Sequence, residues 1–292
     1  MSADTNLMKY IQEDVKKYEG IRMPLKASLP ERLFVRKMNS KKLHPNPDDE
    51  FSMPSIGPNY GIITDYASRI SRGKYWNGSY EDEPLYIEKM HPDGYMILNG
   101  HHRWAAAMRL GMRRIPVRIV NVTTDADIDK ALRMTSNEKR VSFDLDEVIF
   151  CDGEIFEKKP FLLPGSLNRE HIRLGMPALS HFLLNHGYDI WAYTQKYYSD
   201  DTIRHFLKAY HIRINGVITG YSRKRWKKDK LDEQIEKKIM NKYSITLNIT
   251  NDEIIKIENR NGVFEQYDLD CTAKDWSKRV IDTIKSWDDE RS

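Results

Sequence analysis

The stretch Val-Ser-Phe-Asp-Leu-Asp-Glu-Val-Ile-Phe, residues 141–150, decides how the second half of this chain folds. Apolar residues lead up to Asp144, and Asp146 follows two positions later, so an extended segment places both carboxylates on one face. Carboxylates at that spacing would face one metal ion and one phosphate, the first as a nucleophile and the second as a proton donor. The pattern predicts a strand that ends in a phosphoryl-transfer site. Such pairs also occur in turns, calcium loops and solvated helix starts, so the surrounding sequence has to support the interpretation.

Stretches typical of strands alternate with stretches typical of helices from about residue 139 onward. The predicted strands cover 141–145, 189–193, 214–219 and 244–249, and the predicted helices cover 176–186, 200–210 and 229–242. This alternation is typical of right-handed βαβ units and a parallel sheet, which places this half in the α/β class. Ligands of such sheets bind beyond the carboxyl ends of the strands, where Asp144, Thr194 and Asp252 all fall.

These positions follow the motif order of a known enzyme family. Asp144 and Asp146 follow one apolar strand, Thr194 closes the next, and Asp252 follows the last. In this order they resemble the haloacid-dehalogenase-type (HAD-like) phosphatases, over roughly residues 139–288. The resemblance implies a Rossmann-like parallel-sheet domain in which Asp144 forms an aspartyl phosphate while Asp146 acts as acid and then base. Thr194 would bind a phosphoryl oxygen, and Asp252 would join Asp144 and Asp146 as ligands of a magnesium ion, Mg²⁺.

The resemblance also implies a lysine before the penultimate helix, where it neutralises charge between the nucleophile and the phosphate. We assign this role to Lys228, with Lys227 and Lys230 as close alternatives because their spacing does not separate them.

One departure from the family pattern affects this interpretation. The family often carries a second acidic residue at the last motif, whereas Asn251 precedes Asp252 here and Glu253 would have to compensate. A degenerate, inactive domain is therefore the alternative. The interval between Asp146 and Thr194 also contains a predicted helix, which leaves room for a minimal cap and predicts an open site suited to a bulky substrate.

The N-terminal half has a different pattern. An amphipathic helix is predicted before Lys26, strands over 33–38 and 115–120, helices over 62–72 and 105–111, and a hairpin of strands 84–90 and 94–98. The hairpin turn at 91–94 ends in the glycine that a positive φ requires. A polar stretch near 123–138 predicts the boundary between two domains, residues 1–125 and 138–292.

The turn Asn99-Gly100-His101-His102-Arg103 follows a predicted strand and opens a predicted helix. The helix N-terminus and these side chains would converge on one anion. The turn resembles that of the ParB/sulfiredoxin-like superfamily, over roughly residues 30–122, which implies an α+β domain that handles nucleotide phosphates. His101 stands in place of the sulfiredoxin cysteine, and Asn99 replaces an aspartate of the superfamily's small-molecule kinases. A hydrogen-bonded helix start is the alternative role for these residues.

Composition sets broad limits on function. The 292 residues include 47 basic and 43 acidic side chains, and a net charge of +4 permits a polyanionic partner without requiring one. The two cysteines, Cys151 and Cys271, cannot form a disulfide framework, which favours a reducing compartment. The sequence shows neither a signal-like start nor an apolar run of membrane-spanning length, so we expect a cytoplasmic protein without a membrane partner.

The expected function is therefore a magnesium-dependent phosphohydrolase joined to a ParB-like nucleotide-binding domain. Its expected substrates are nucleotides, nucleic-acid ends or small phosphorylated molecules, and ATP, ADP or another nucleotide is the expected second ligand. Two alternatives stay open. The first is a nucleic-acid-binding or regulatory protein with a non-catalytic HAD-like domain, and the second is a free amino-acid kinase in the N-terminal domain.

Overall fold

A computed structural model describes residues 3–76, 83–151, 155–161, 167, 169–220 and 230–289 of the chain. The chain divides into two compact units, Met1–Asn121 and Val122–Ser292. Each unit builds its own sheet, and both sheets mix parallel and antiparallel pairs. Among the helices of the described ranges, none combines the length and apolar character that crossing a membrane requires.

The first unit contains four helices and six strands among its described residues. In chain order they are α1 Ala3–Tyr18, β1 Met23–Pro24, α2 Leu29–Arg32, β2 Arg36–Asn39, β3 Leu43–Pro45, α3 Tyr60–Ser71, β4 Leu85–His91, β5 Tyr95–Asn99, α4 His101–Arg109 and β6 Arg114–Ile119.

The sheet of the first unit has the strand order β2-β6-β4-β5-β3, with β1 paired to one end of β4. The predicted hairpin is confirmed, because β4 and β5 pair antiparallel and Gly94 adopts a φ of +83° in the turn between them. Helices α3 and α4 cover the sheet with Ile63, Trp104 and the alanines Ala105–Ala107, which together with apolar strand residues form the buried core.

The second unit contains five helices and six strands among its described residues. In chain order they are α5 Asp125–Arg133, β7 Lys139–Asp144, α6 Met176–Asn185, β8 Tyr188–Thr194, α7 Asp200–Ala209, β9 Gly216–Thr219, α8 Lys230–Lys242, β10 Ile245–Ile249, β11 Glu253–Glu258, β12 Val263–Asp268 and α9 Trp276–Asp289.

The sheet of the second unit has the strand order β12-β11-β10-β7-β8-β9. The four predicted strands, now β7 to β10, are confirmed. They pair parallel to one another, and β7 lies between β10 and β8. The prediction of a parallel sheet holds for these four strands, and the sheet as a whole is mixed, because β11 and β12 pair antiparallel at one edge. The physical reason is the short polar segment after β10, because three residues allow a reversal but no helical crossover.

Successive residues of β8 point to opposite faces of this sheet, as a strand requires. Ile190 and Ala192 contact the larger buried cluster, which includes residues of α6, α7 and α9. Trp191 and Tyr193 contact a smaller cluster with α5 and α8. Burial on both faces explains why β8 is apolar along almost its whole length.

The polar stretch near 123–138, which the sequence predicts as the domain boundary, contains helix α5. Thr124 caps this helix by accepting a hydrogen bond from the backbone N–H of Asp127, and the Asp127 carboxylate accepts one from the backbone N–H of Thr124. Ile128 is fully buried in the smaller cluster of the second unit. This stretch therefore packs as part of the second unit.

Candidate functional sites

Asp144 lies at the carboxyl end of β7, between the parallel neighbours β10 and β8. One of its carboxylate oxygens, Oδ1, accepts hydrogen bonds from the backbone N–H groups of Asp146 at 2.8 Å and Glu147 at 3.1 Å. These groups begin a short π-helical turn, Leu145–Ile149, which Asp144 caps. The two bonds hold the Asp144 carboxylate in place at the carboxyl end of β7.

Asp146 lies next to Thr194, as the sequence predicts for parts of one site. The Thr194 hydroxyl donates to Oδ2 of Asp146 at 2.7 Å, and Thr194 itself is 1% exposed at the end of β8. The other oxygen, Oδ1, is buried and accepts no aligned hydrogen bond from the described residues, although the Lys196 ammonium lies 3.3 Å away. The structure thus brings together the ends of β7 and β8 in one polar constellation.

Lys196 is a site residue that the sequence interpretation missed. Its ammonium lies 3.3 Å from Asp146 and 3.5 Å from Glu170, and its backbone N–H donates to the Thr194 hydroxyl at 3.0 Å. Burial by itself lowers the pKa of Lys196, but the carboxylates of Asp146 and Glu170 outweigh it, so the net shift is upward and the side chain stays cationic. Its position two residues after Thr194 was the available sequence signal.

The structure does not test the lysine assigned from the sequence, Lys228. Lys228 and its alternative Lys227 lie outside the described residues, so their role stays a prediction. Lys230 is the first residue of α8. Among the described residues, the Lys196 ammonium lies 3.3 Å from the Asp146 carboxylate.

Asp252 follows β10 and is exposed in the turn that leads to β11. The neighbouring Asn251 accepts a hydrogen bond from the Arg173 guanidinium, which also donates from Nε to the carbonyl of Val148 at 2.7 Å. Burial lowers the pKa of Arg173, and the guanidinium stacks 4.6 Å from the Trp276 ring. Arg173 therefore connects the turn that holds Asp252 with the turn that holds Asp146.

The three predicted metal ligands, Asp144, Asp146 and Asp252, fit a hard divalent cation only in part. The described residues contain no group of three or more acidic, histidine or cysteine side chains placed to hold a metal, so the predicted set Asp144, Asp146 and Asp252 does not form such a group. Mg²⁺, however, is commonly held by one or two carboxylates, with water and substrate oxygens completing its octahedron. Asp144 and Asp146, with a buried oxygen that lacks an aligned donor, meet that smaller requirement.

The Asn99–Arg103 turn of the first unit has an arrangement that differs from a convergent anion site. Gly100 adopts a φ of +102° before α4, and a Cβ there would lie 2.5 Å from the Leu85 side chain, which explains the glycine. Arg103 is 4% exposed, and its guanidinium donates to Asn99 Oδ1 at 2.6 Å and to the Glu83 carbonyl at 2.8 Å. The Arg103 guanidinium thus binds groups of the protein itself.

His101 and His102 hold neighbouring loop segments. Nε2 of His101 accepts from the backbone N–H of Asn46, and Nε2 of His102 accepts from that of Asn59, both at 3.1 Å. Burial lowers the pKa of His101 to about 4 and also lowers that of His102, so both rings are neutral at pH 7. This is the hydrogen-bonded helix start that the sequence left as an alternative. An anion at α4 would rely on backbone N–H groups.

Comparison with known proteins supports one of the two resemblances. The sequence pattern of the ParB N-terminal domain family matches residues 77–137, a range that includes the Asn99–Arg103 turn. The chain therefore contains a ParB-like domain. The match ends before β7, and the HAD-like interpretation of the second half stays a prediction. No curated protein matches the chain.

Two solved structures of the chromosome-partitioning protein ParB from Caulobacter crescentus, both C-terminally truncated, are similar to the chain. The one complexed with CTP-gamma-S is 20% identical, with a TM-score of 0.24, and the match covers 36% of this chain and 56% of that chain. The one complexed to the centromeric parS site is 22% identical, with a TM-score of 0.22, and the match covers 35% and 50%. The chain thus spans about half the length of these ParB chains.

Proposed function

We propose that the second unit is a magnesium-dependent phosphohydrolase that acts through an aspartyl phosphate, and that it is joined to a ParB-like nucleotide-binding domain. The observation that carries the proposal is the constellation of Asp144, Asp146, Thr194 and Lys196 at the carboxyl ends of adjacent parallel strands. Ligands bind at this edge of such sheets, and the residues provide a fixed nucleophile, a proton donor and a cation.

In the proposed reaction, Asp144 attacks phosphorus while its Oδ1 stays bonded to the N–H groups of Asp146 and Glu147. Asp146 gives a proton to the leaving oxygen and then takes one from the water that releases the phosphate. Lys196 stabilises the charge that develops on the phosphoryl oxygens, and the Thr194 hydroxyl exchanges its hydrogen bond to Asp146 for one to a phosphoryl oxygen. When bound by Asp144 and Asp146, Mg²⁺ would act as a Lewis acid that polarises the phosphoryl group.

The direct test is phosphate release by the purified full-length chain with Mg²⁺. Substrates should include nucleotides, 5′- and 3′-phosphorylated oligonucleotides, and small phosphorylated metabolites. Asp144→Asn keeps the size of the side chain but removes the nucleophile, so release should fall to background. Absence of release from every substrate, or equal release by Asp144→Asn, would contradict the proposal.

For the first unit we propose nucleotide binding, supported by the ParB family match over residues 77–137. The backbone N–H groups at the start of α4 would receive phosphate oxygens, because the side chains of His101 and His102 already accept hydrogen bonds from loop segments. Titration of the chain with CTP, ATP and ADP by calorimetry tests this. ATP consumption stimulated by serine and lost in His102→Ala would instead favour the kinase alternative.

The family match also supports a second candidate function, in which the chain binds nucleic acid as a regulator and the second unit is not catalytic. Salt-sensitive binding to duplex DNA, without phosphate release from any substrate, is the expected result for that function. Phosphate release that disappears in Asp144→Asn decides against it.

A further inference from the structure

Each unit has one end strand whose outer side is open. β2 ends the first sheet and β12 ends the second, and no strand of the described ranges pairs with the outer side of either. The opposite end strands differ, because β3 is buried and, on β9, the Thr123 hydroxyl donates to the carbonyl of Val217 and accepts from the N–H of Thr219. An open row of backbone N–H and C=O groups can pair with a strand of another chain. We call residues 33–39 the β2 edge and residues 263–268 the β12 edge.

Apolar side chains are exposed at the start of both edges. Leu33, Phe34 and Val35 lead into β2, and all three are exposed, Phe34 by 70%. Val263 and Phe264 begin β12 and are likewise exposed, Phe264 by 68%. Single exposed apolar residues are ordinary on a protein surface, but runs of two or three beside an open strand indicate an interaction site.

The two edges carry opposite charges. The β2 edge contains Arg36 and Lys37 and no acidic residue, whereas the β12 edge contains Glu265 and Asp268 and no basic residue. Glu265 binds the ammonium of Lys256 at 2.6 Å, and its side chain remains 47% exposed. Each edge would therefore repel a second edge of its own kind and attract the other kind.

We propose that a second copy of the chain occupies each edge: the β12 edge of one copy adds to the β2 edge of the next as a parallel strand. One parallel register places apolar residues beside apolar ones and Arg36 beside Glu265. Its cross-copy pairs are Phe34 with Val263, Val35 with Phe264, Arg36 with Glu265, Lys37 with Gln266, Met38 with Tyr267 and Asn39 with Asp268.

This contact is heterologous, because two different surfaces meet. A copy that binds one neighbour through its β12 edge keeps its β2 edge for another, so the assembly closes into a ring or grows as a chain. The association should weaken in high salt, since Arg36 and Glu265 attract each other at an exposed position. It requires neither the proposed phosphohydrolase activity nor a bound nucleotide.

Sedimentation velocity of the full-length chain over a range of protein concentrations measures the association. Phe34→Asp and Phe264→Asp each place a carboxylate at one edge, where the native side chain is mostly exposed in the single chain. Phe161→Asp is the matched control, because Phe161 is a fully exposed phenylalanine outside both edges. The sedimentation coefficient of the wild type and of the control should rise with concentration, and the Kd for self-association of both test variants should be higher by roughly 10-fold or more.

A mixture of the two variants tests whether the contact is heterologous. Phe264→Asp retains an intact β2 edge and Phe34→Asp retains an intact β12 edge, so an equimolar mixture should form dimers that grow no further. Arg36→Glu, which changes one exposed charge, is a second test of the β2 edge and should also weaken association. The inference is overturned by a wild type that stays monomeric at every concentration, by wild-type association of any of the three edge variants, or by a mixture of correctly folded variants that forms no dimers.

Discussion

Tyr243 forms hydrogen bonds with two buried groups of the second unit, so the loss of its hydroxyl should lower the stability of this unit. Its hydroxyl donates to Oδ2 of Asp189 at 2.7 Å and accepts from the indole N–H of Trp191 at 2.9 Å. Asp189 is fully buried, and its other oxygen accepts from Thr135, Asn137 and Asn215 at 2.8 to 3.0 Å. Burial raises the pKa of Tyr243, so the hydroxyl keeps its proton.

Replacing Tyr243 with Phe removes the hydrogen bond to Oδ2 of Asp189 and the one from the Trp191 indole N–H. A hydrogen bond to a charged group contributes about 1.5–3 kcal/mol, and an unsatisfied neutral donor such as the Trp191 N–H costs about 1–3 kcal/mol. Because the two losses share one hydroxyl and are not additive, we expect Tyr243→Phe to lower the free energy of unfolding by about 3 kcal/mol.

Tyr210 provides a matched control. It is 4% exposed and Tyr243 is 2% exposed, but the Tyr210 hydroxyl has no hydrogen-bond partner among the described residues. Removal of an unsatisfied buried hydroxyl is neutral or stabilising, so Tyr210→Phe should change the free energy of unfolding by no more than about 1 kcal/mol.

Urea denaturation of both variants, followed by tryptophan fluorescence and far-UV circular dichroism, measures the difference directly. The midpoint of the transition should fall in Tyr243→Phe with an unchanged slope, whereas Tyr210→Phe should stay near the wild type. Equal effects of the two substitutions would refute the reasoning, since it assigns the whole difference to the bonds with Asp189 and Trp191.

Three further predictions concern other parts of the chain. His101, whose pKa burial lowers from 6.5 to about 4, stabilises the fold above pH 6.5 and loses that contribution as the pH falls toward 4. We therefore expect about 2 kcal/mol less stability at pH 5 than at pH 7.5 from this residue, and a smaller pH dependence of the urea midpoint in His101→Gln. Gly216→Ala would place a Cβ 2.1 Å from the buried ring of Trp191, which should cost about 1–3 kcal/mol in the same assay, and a wild-type midpoint would contradict the packing argument. Lys196→Met should lower kcat for phosphate release by on the order of 100-fold, while the exposed Lys208→Met serves as the control and should match the wild type.

The spacing of apolar residues predicted the regular helices and strands of the second unit well. The period of apolar residues located β7 to β10 and helices α6 to α8 within a few positions, because those elements bury one or both faces continuously. The same signals did not predict α5, which is mostly polar and depends on a single fully buried residue, Ile128. They also did not predict β11 and β12, since β12 is almost entirely exposed and alternates weakly.

The sequence located some residues of the candidate site and not others. Asp144, Asp146 and Thr194 could be located from the sequence, because strand ends are visible in it and parallel strands bring their ends to one edge. Lys196 had one signal, its position two residues after Thr194, which does not say which carboxylate its ammonium reaches. Arg173 could not be assigned, because nothing in its neighbourhood along the chain indicates which carbonyl it reaches.

The sequence by itself determined the positions of the apolar strands β4 to β10, the polar side chains at the ends of β7 and β8, and the glycine that ends the turn between β4 and β5. These properties depend on backbone conformation and on apolar periodicity, which act over a few neighbouring residues. The tertiary structure alone decided that Arg103 and the two histidines hold protein groups, that Lys196 lies against Asp146, and that Arg173 connects the turns after β7 and β10. Those outcomes depend on burial and on contacts between distant segments, because a charged or polar side chain taken out of water must find its partner wherever the fold places one.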